Sequence, residues 1–181
     1  MITPNEFKTQ WGDDLVRNTP ASLENVHIPD ASKRFLIEAG LPRLVPGLDM
    51  DFDRFEDELP TLPEAFPNGY DFPKDYSRYR PIGADPATLL CLDECNSGCV
   101  YSVDIDEAGL PIRFVNSGVP QLAEFLLIVR GTPTESSPKR YTDAEAKAYT
   151  EELTQKFRNA DPEAMHDEDG YWPGYLRATL I

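Results

Sequence analysis

The sequence predicts an α+β fold, one domain spanning residues 1–181 in which a central, mostly antiparallel sheet is flanked by helices. Three observations predict it. Between residues 79 and 116 the chain holds short strand-like runs, Ile82-Gly83-Ala84-Asp85, Leu89-Leu90-Cys91-Leu92-Asp93 and Gly98-Cys99-Val100-Tyr101-Ser102-Val103-Asp104, separated by turn residues. The run Phe114-Val115-Asn116-Ser117-Gly118-Val119-Pro120 then breaks at Asn-Ser and resumes with helical spacing, as a strand turning straight into a helix does. Helix-start signatures stand near both ends of the chain, and 181 residues with 40% hydrophobic content suffice for one full core.

Taken in order, Thr3 is placed to cap a helix with Pro4 at its first position and Glu6 closing a capping box. Phe7 and Trp11 share a face of that helix, and Gly12 ends it or marks a bend before Leu15 and Val16. A second helix starts after Pro29-Asp30 and runs through Phe35, Leu36 and Ala39, with Gly40 as a left-handed stop and Pro42 barring continuation. From Pro42 to Pro73 the chain carries six prolines, so a wrapped, partly extended segment is expected rather than long regular elements. Within it Asp51-Phe52-Asp53-Arg54-Phe55 alternates like a strand, with Phe52 and Leu59 inward and Phe55 breaking the alternation.

Tyr76, Tyr79, Pro81 and Ile82 lead into the sheet, and Glu94-Cys95-Asn96-Ser97-Gly98 reads as a hairpin loop. At the strand-to-helix turn, Ser117 is expected to accept a hydrogen bond from an orphan amide of the first helical turn, with Pro120 tolerated inside it. Val119, Leu122, Phe125, Leu126 and Val129 line one face of the helix that follows. Gly131 to Arg140 is a connection, Thr142 and Glu145 repeat the capping-box spacing, and Ala146, Tyr149, Leu153 and Phe157 give an apolar stripe. Asp161-Pro162 opens a short turn. The tail Tyr171, Trp172, Tyr175, Leu176, Leu180 and Ile181 is apolar enough to pack back on the domain, the alternative being an exposed partner-binding patch.

Charge narrows the partners. Seventeen basic against 32 acidic residues leave a net charge of −15, which disfavours nucleic acid and anionic membranes and attracts a basic partner. Ordinary solubility accounts for an acidic total, but the acids are concentrated. Asp49, Asp51, Asp53, Glu56, Asp57 and Glu58 fall within ten residues opposed only by Arg54, and Asp161, Glu163, Asp167, Glu168 and Asp169 form a second run. No run approaches the roughly 20 apolar residues of a membrane span, and no signal-peptide pattern opens the chain, so a cytoplasmic protein is expected.

Other constellations fail on chemistry. Cys91, Cys95 and Cys99 lack a full set of zinc donors, since His27 and His166 are remote in sequence, and buried or loop roles suit them better. A disulfide between Cys91 and Cys99 is conceivable if the hairpin brings them together, but a reducing cytosol opposes it. Asp104-Ile105-Asp106-Glu107-Ala108-Gly109 opens like a calcium loop yet has Ala108 and Val115 where ligands are needed. Its acids are expected in a solvated turn or against a basic partner. No nucleophile elbow, phosphate loop or dinucleotide fingerprint is present, and neither histidine sits in a catalytic setting, so no cofactor, metal or catalytic residue is assigned.

The order of Thr3-Pro4-Asn5-Glu6-Phe7-Lys8, Trp11-Gly12, Phe35-Leu36, Gly40-Leu41-Pro42 and the Phe114-Val115-Asn116-Ser117 turn resembles the SUKH superfamily of bacterial immunity proteins, closest to its fourth subfamily. Gly118 departs from the pattern, at a position where many relatives carry a second serine. The resemblance implies an α+β immunity domain in the cytoplasm that binds a toxin, often a nuclease, and blocks it. A protein-interaction regulator on the same fold is the second reading, and an enzyme without a recognisable motif the third. Under the first reading, inhibition is stoichiometric occlusion of a basic toxin domain. The candidate contacts are Asp49, Asp51, Asp53, Glu56, Asp57 and Glu58, a second patch of Asp104, Asp106 and Glu107, and Tyr70, Phe72 and Tyr76 as anchors. Oligomeric state is left open.

Overall fold

A meander of short strands organises the rest of the chain in the computed structural model, which describes residues 1–55, 58–68, 70–107, 109–131 and 142–179. In chain order the elements are α1 (Pro4–Trp11), β1 (Leu15–Val16), α2 (Asp30–Glu38), β2 (Leu41–Pro42), β3 (Leu44–Val45), β4 (Met50–Asp51), α3 (Leu62–Ala65), β5 (Tyr79–Ala84), β6 (Leu89–Asp93), β7 (Cys99–Val103), β8 (Ile112–Asn116), α4 (Val119–Arg130), α5 (Asp143–Ala160) and α6 (Tyr171–Thr179). Three-residue-per-turn segments stand at Ala21–Leu23, Lys74–Arg78 and Glu163–Met165. Strands β3 to β8 form one antiparallel sheet in sequence order, and β1 and β2 form a small second one.

Alternation splits the sheet's side chains between two faces. Ile82, Leu90, Leu92, Val100 and Val115 belong to the large core under the helices, which extends from Phe7 to Leu176. Tyr79, Leu89, Cys91 and Val103 belong to a smaller cluster on the other face, closed in part by Leu62 and Tyr76. Both helix starts predicted by capping boxes are present: Glu6 accepts from Thr3 N and Glu145 from Thr142 N, each at 2.9 Å. Gly12 ends α1 at φ +89°, and the Arg130 guanidinium stacks 4.7 Å from the Trp11 ring while donating to the last carbonyls of α1. Gly40 is fixed twice over, by φ +78° and by the Val16 carbonyl, into which a Cβ would drive.

Two local expectations are corrected. The strand over Asp51–Phe55 is only Met50–Asp51, because Phe52 and Phe55 both turn into the core and Arg54–Phe55 forms a turn. Ser117 does not cap α4: the cap position is Gly118, and the Ser117 hydroxyl instead donates to Asp161 Oδ1 at 2.8 Å. A carboxylate is the stronger acceptor, and it also takes the Ser117 amide at 2.7 Å and the Asn116 side-chain amide at 3.2 Å. Trp172 Nε1 donates to Asn116 Oδ1 at 3.1 Å. The Phe-Val-Asn-Ser turn is therefore fastened to two residues 45 and 56 positions further along. Gly131 lies in the predicted connection; residues 132–140, Leu180 and Ile181 lie outside the described residues.

The rest of the tail packs inward as predicted. Trp172 is fully buried against Phe125 and Phe157, whose rings stack at 4.3 Å and 4°. Tyr171 donates its hydroxyl to Asp85 Oδ2 at 2.7 Å, joining α6 to the turn between β5 and β6. Among the described residues, no helix is long and apolar enough to cross a membrane.

Candidate functional site

The face of the sheet turned away from the main helices carries a continuous series of aromatic rings. Phe66, Tyr70, Phe72, Tyr76, Tyr79, Tyr101 and Phe114 touch in succession at centroid distances between 5.5 and 6.1 Å. Strand alternation supplies part of it, since Tyr101 pairs with Phe114 across β7 and β8, and the proline-rich segment supplies the rest by folding back over the face. The middle is buried: Tyr76 is 7% exposed, and its hydroxyl donates to the Leu110 carbonyl at 2.7 Å. The ends are open, with Tyr70 36% exposed and Phe72, Tyr101 and Phe114 half-buried.

Register places the acidic groups around this strip. Asp51, Ala84, Leu89, Val103 and Ile112 form one row across the sheet. The turn from Asp104 to Pro111 therefore leaves the same end of the sheet at which Asp51 stands, three strand spacings or about 14 Å away. Tyr70 donates its hydroxyl to Asp106 Oδ1 at 3.0 Å, joining aromatic strip and acidic turn. That bond, with some burial, raises the Tyr70 phenol above its ordinary value. Asp104 is partly spent inside the turn, accepting from the Asp106 and Glu107 amides at 3.0 Å each, while Asp106 and Glu107 themselves are exposed. Leu110 closes the turn at φ +49°, an uncommon conformation for leucine, with its carbonyl held by Tyr76 and its side chain packed on the outer cluster.

The first acidic run reaches the strip from the opposite side. The Arg54 guanidinium lies 5.0 Å from the centre of the Phe66 ring, so the one cation of that run is stacked on the first ring of the series. Asp49, Asp53 and Glu58 are exposed, and Asp53 accepts from Arg43 at 3.1 Å. Asp51 is half-buried, and burial together with the Asp53 charge pushes its carboxyl above the ordinary value. Glu56 and Asp57 lie outside the described residues. In the middle of the strip Arg78 clamps the buried Asp93 with two hydrogen bonds and stacks 5.4 Å from the Tyr79 ring centre.

The cysteines divide by position. The ladder sets Cys91 opposite Tyr101 and Cys99 opposite Asp93, so the hairpin does not oppose Cys91 to Cys99, and all three are free thiols. Burial raises the Cys91 and Cys99 thiols above their ordinary values. Among the described residues, no group of three or more His, Cys, Asp or Glu is arranged to hold a metal ion.

The sequence reading singled out both acidic patches and three of the aromatic residues, but not that they share one end of the sheet. It also missed Phe66, Tyr79, Tyr101 and Phe114. The available signal was the alternation that sets Leu89, Cys91, Tyr101 and Val103 on the face away from Leu90, Leu92 and Val100, which marks a second apolar face.

An antiparallel meander with helices on one side and a half-open aromatic face on the other defines an α+β protein built on one six-stranded sheet. The chain belongs to the SUKH-4 immunity protein family, whose model matches residues 2–178. Comparison with curated proteins and with solved structures gives no match.

Proposed function

We propose that this immunity protein neutralises a cognate toxin with a basic active domain by stoichiometric occlusion, using the acid-rimmed end of the aromatic face. Family membership supports the immunity role. The observation that carries the surface assignment is the Tyr70–Asp106 hydrogen bond, which joins an exposed aromatic anchor to an exposed acidic turn. Interfaces draw most of their energy from such aromatic anchors, with charged rims setting encounter rate and specificity. In this reading Tyr70 and Phe72 make the apolar contact, and Tyr76 supports them from beneath. Asp106 and Glu107 on one side and Asp49, Asp51, Asp53 and Glu58 on the other meet the lysines and arginines that a nuclease uses on phosphates, and Asp104 holds its turn in shape.

The protein then acts in the cytoplasm, without cofactor or catalytic step, and a net charge of −15 keeps it off nucleic acid and anionic membrane. The test is growth of a strain expressing the toxin domain encoded beside this chain's gene, with and without the protein. Rescue of growth and a co-purifying complex are expected; absence of both overturns the immunity reading. Changing Asp51, Asp53, Glu56 and Asp57 together to lysine is expected to slow association and reduce rescue, with folding checked by circular dichroism.

A further inference from the structure

We infer that the free edge of β8 is a docking site for an extended, basic segment of the partner, which would add a strand to the sheet. The inference rests on the immunity reading for the identity of that partner and on the backbone for the site. Strand β8 is the last of the sheet and, among the described residues, pairs only with β7. Asp104 N donates to the Pro111 carbonyl at 3.1 Å, which makes Asp104 and Pro111 a bonded pair. Antiparallel pairs alternate between bonded and non-bonded. With Ser102 opposite Arg113 and Tyr101 opposite Phe114, the amides and carbonyls of Ile112 and Phe114 therefore point away from β7. No described residue bonds to them.

The edge is bounded on both sides. Pro111 precedes it, the register shift beside Val115 follows it, and beyond that Ser117 N is taken by Asp161. What lies open is a short segment whose outward side chains, Ile112 and Phe114, continue the aromatic face. Beside it is a cavity of about 240 Å³ lined by Arg113, Glu163, Asp167 and Asp169 as well as by the two edge residues. Glu163, Asp167 and Asp169 are exposed, and although Asp169 is paired with Arg177 at 3.2 Å, the carboxylates of Glu163 and Asp167 beside Arg113 leave that wall anionic. Those carboxylates select the occupant. A second copy of this chain pairing edge to edge would set two such walls together, in a chain already at −15, whereas a strand carrying lysine or arginine at alternate positions places its cations against them.

Amide hydrogen exchange on the intact, isotope-labelled protein tests this with an extended peptide alternating lysine with valine. Its control is the same peptide N-methylated on alternate residues, with equal charge and fewer donors. In the free protein the Ile112 and Phe114 amides should exchange freely. With the plain peptide at about ten times its dissociation constant both should slow roughly tenfold, and the methylated peptide should leave them unchanged. Four results overturn the inference: protection already present in the free protein, which would mean that the chain covers its own edge; protection that grows with protein concentration alone, which would mean self-pairing; equal effects of both peptides, which would mean charge without strand pairing; or no effect of either. A matched pair adds a second reading, because Ile112→Pro removes an outward amide that β7 does not use, whereas Ile112→Ala keeps it. Proline should abolish the peptide's effect on Phe114 and alanine should retain it; the reverse, or equal loss, overturns the inference. Failure of toxin rescue would show itself separately in the growth experiment, which does not depend on where the partner docks.

Discussion

The two faces of the one sheet are built by opposite rules. On the helix side the largest rings are buried, Trp172 sits against the stacked Phe125 and Phe157, and Asp161, only 3% exposed, accepts three hydrogen bonds. On the outer side the rings form a chain instead of a cluster, buried in the middle and open at both ends. Packing complementarity and satisfied buried polar groups specify one structure, so the helix side carries stability. A strip that keeps Tyr70 and Phe72 accessible gives up part of that burial and leaves apolar area for a partner. Under the proposed function, the contrast separates residues whose loss should unfold the protein from residues whose loss should leave it folded and impair binding.

The largest effect should come from Trp172→Ala, which empties the centre of the aromatic triad and strips Asn116 of a donor. Urea unfolding should show a loss of about 3–5 kcal/mol, and a loss below about 1 kcal/mol would mean that α6 is not part of the cooperative core. Next is Asp161→Ala. Removing the acceptor leaves the Ser117 amide, the Ser117 hydroxyl and the Asn116 side-chain NH2 without their acceptor beside α4, at a cost of about 1–3 kcal/mol. The same measurement on Ser117→Ala alone should show a smaller loss, because Asp161 keeps two of its donors.

A smaller effect should depend on pH. Burial, and then the neighbouring Asp85 carboxylate, holds the Tyr171 phenol above its ordinary value. A raised folded value means that the unfolded chain ionises first. The contribution is fully present below about pH 10 and is lost as pH rises past that ordinary value toward the folded one. Tyr171→Phe should therefore lose about 1 kcal/mol at neutral pH, from the missing bond to Asp85, and should flatten the alkaline limb of the stability profile. An unchanged alkaline limb would show that other groups set it.

Legibility followed the same division. Positions governed by local rules were readable: the capping boxes at Thr3 and Thr142, the Gly40 stop, the hairpin loop at Glu94–Gly98 and the inward tail around Trp172. Ser117 was misread because a local cap rule was applied to a residue whose partner, Asp161, lies 44 positions away. Asp51–Phe55 was misread because periodicity over so few residues does not distinguish a strand from a loop with two buried rings. The acidic patches were visible as clusters, but their common end of the sheet depends on the register that aligns Asp51 with Ala84, Leu89, Val103 and Ile112, which no sequence window contains.

The central claim is that the open end of the aromatic strip binds while the helix side holds the fold. It is tested most directly by the dissociation constant of the complex with the toxin domain encoded beside this gene, measured for the unmodified protein and for a Tyr70→Ala, Asp106→Lys double variant. Tyr70 is an exposed ring with one hydrogen bond, so the variant's unfolding free energy should stay within about 1 kcal/mol of the unmodified protein. Its dissociation constant should rise at least about tenfold, the loss of an anchor together with a reversed rim charge. An unchanged dissociation constant in a folded variant would contradict the account and move the contact surface elsewhere on the molecule.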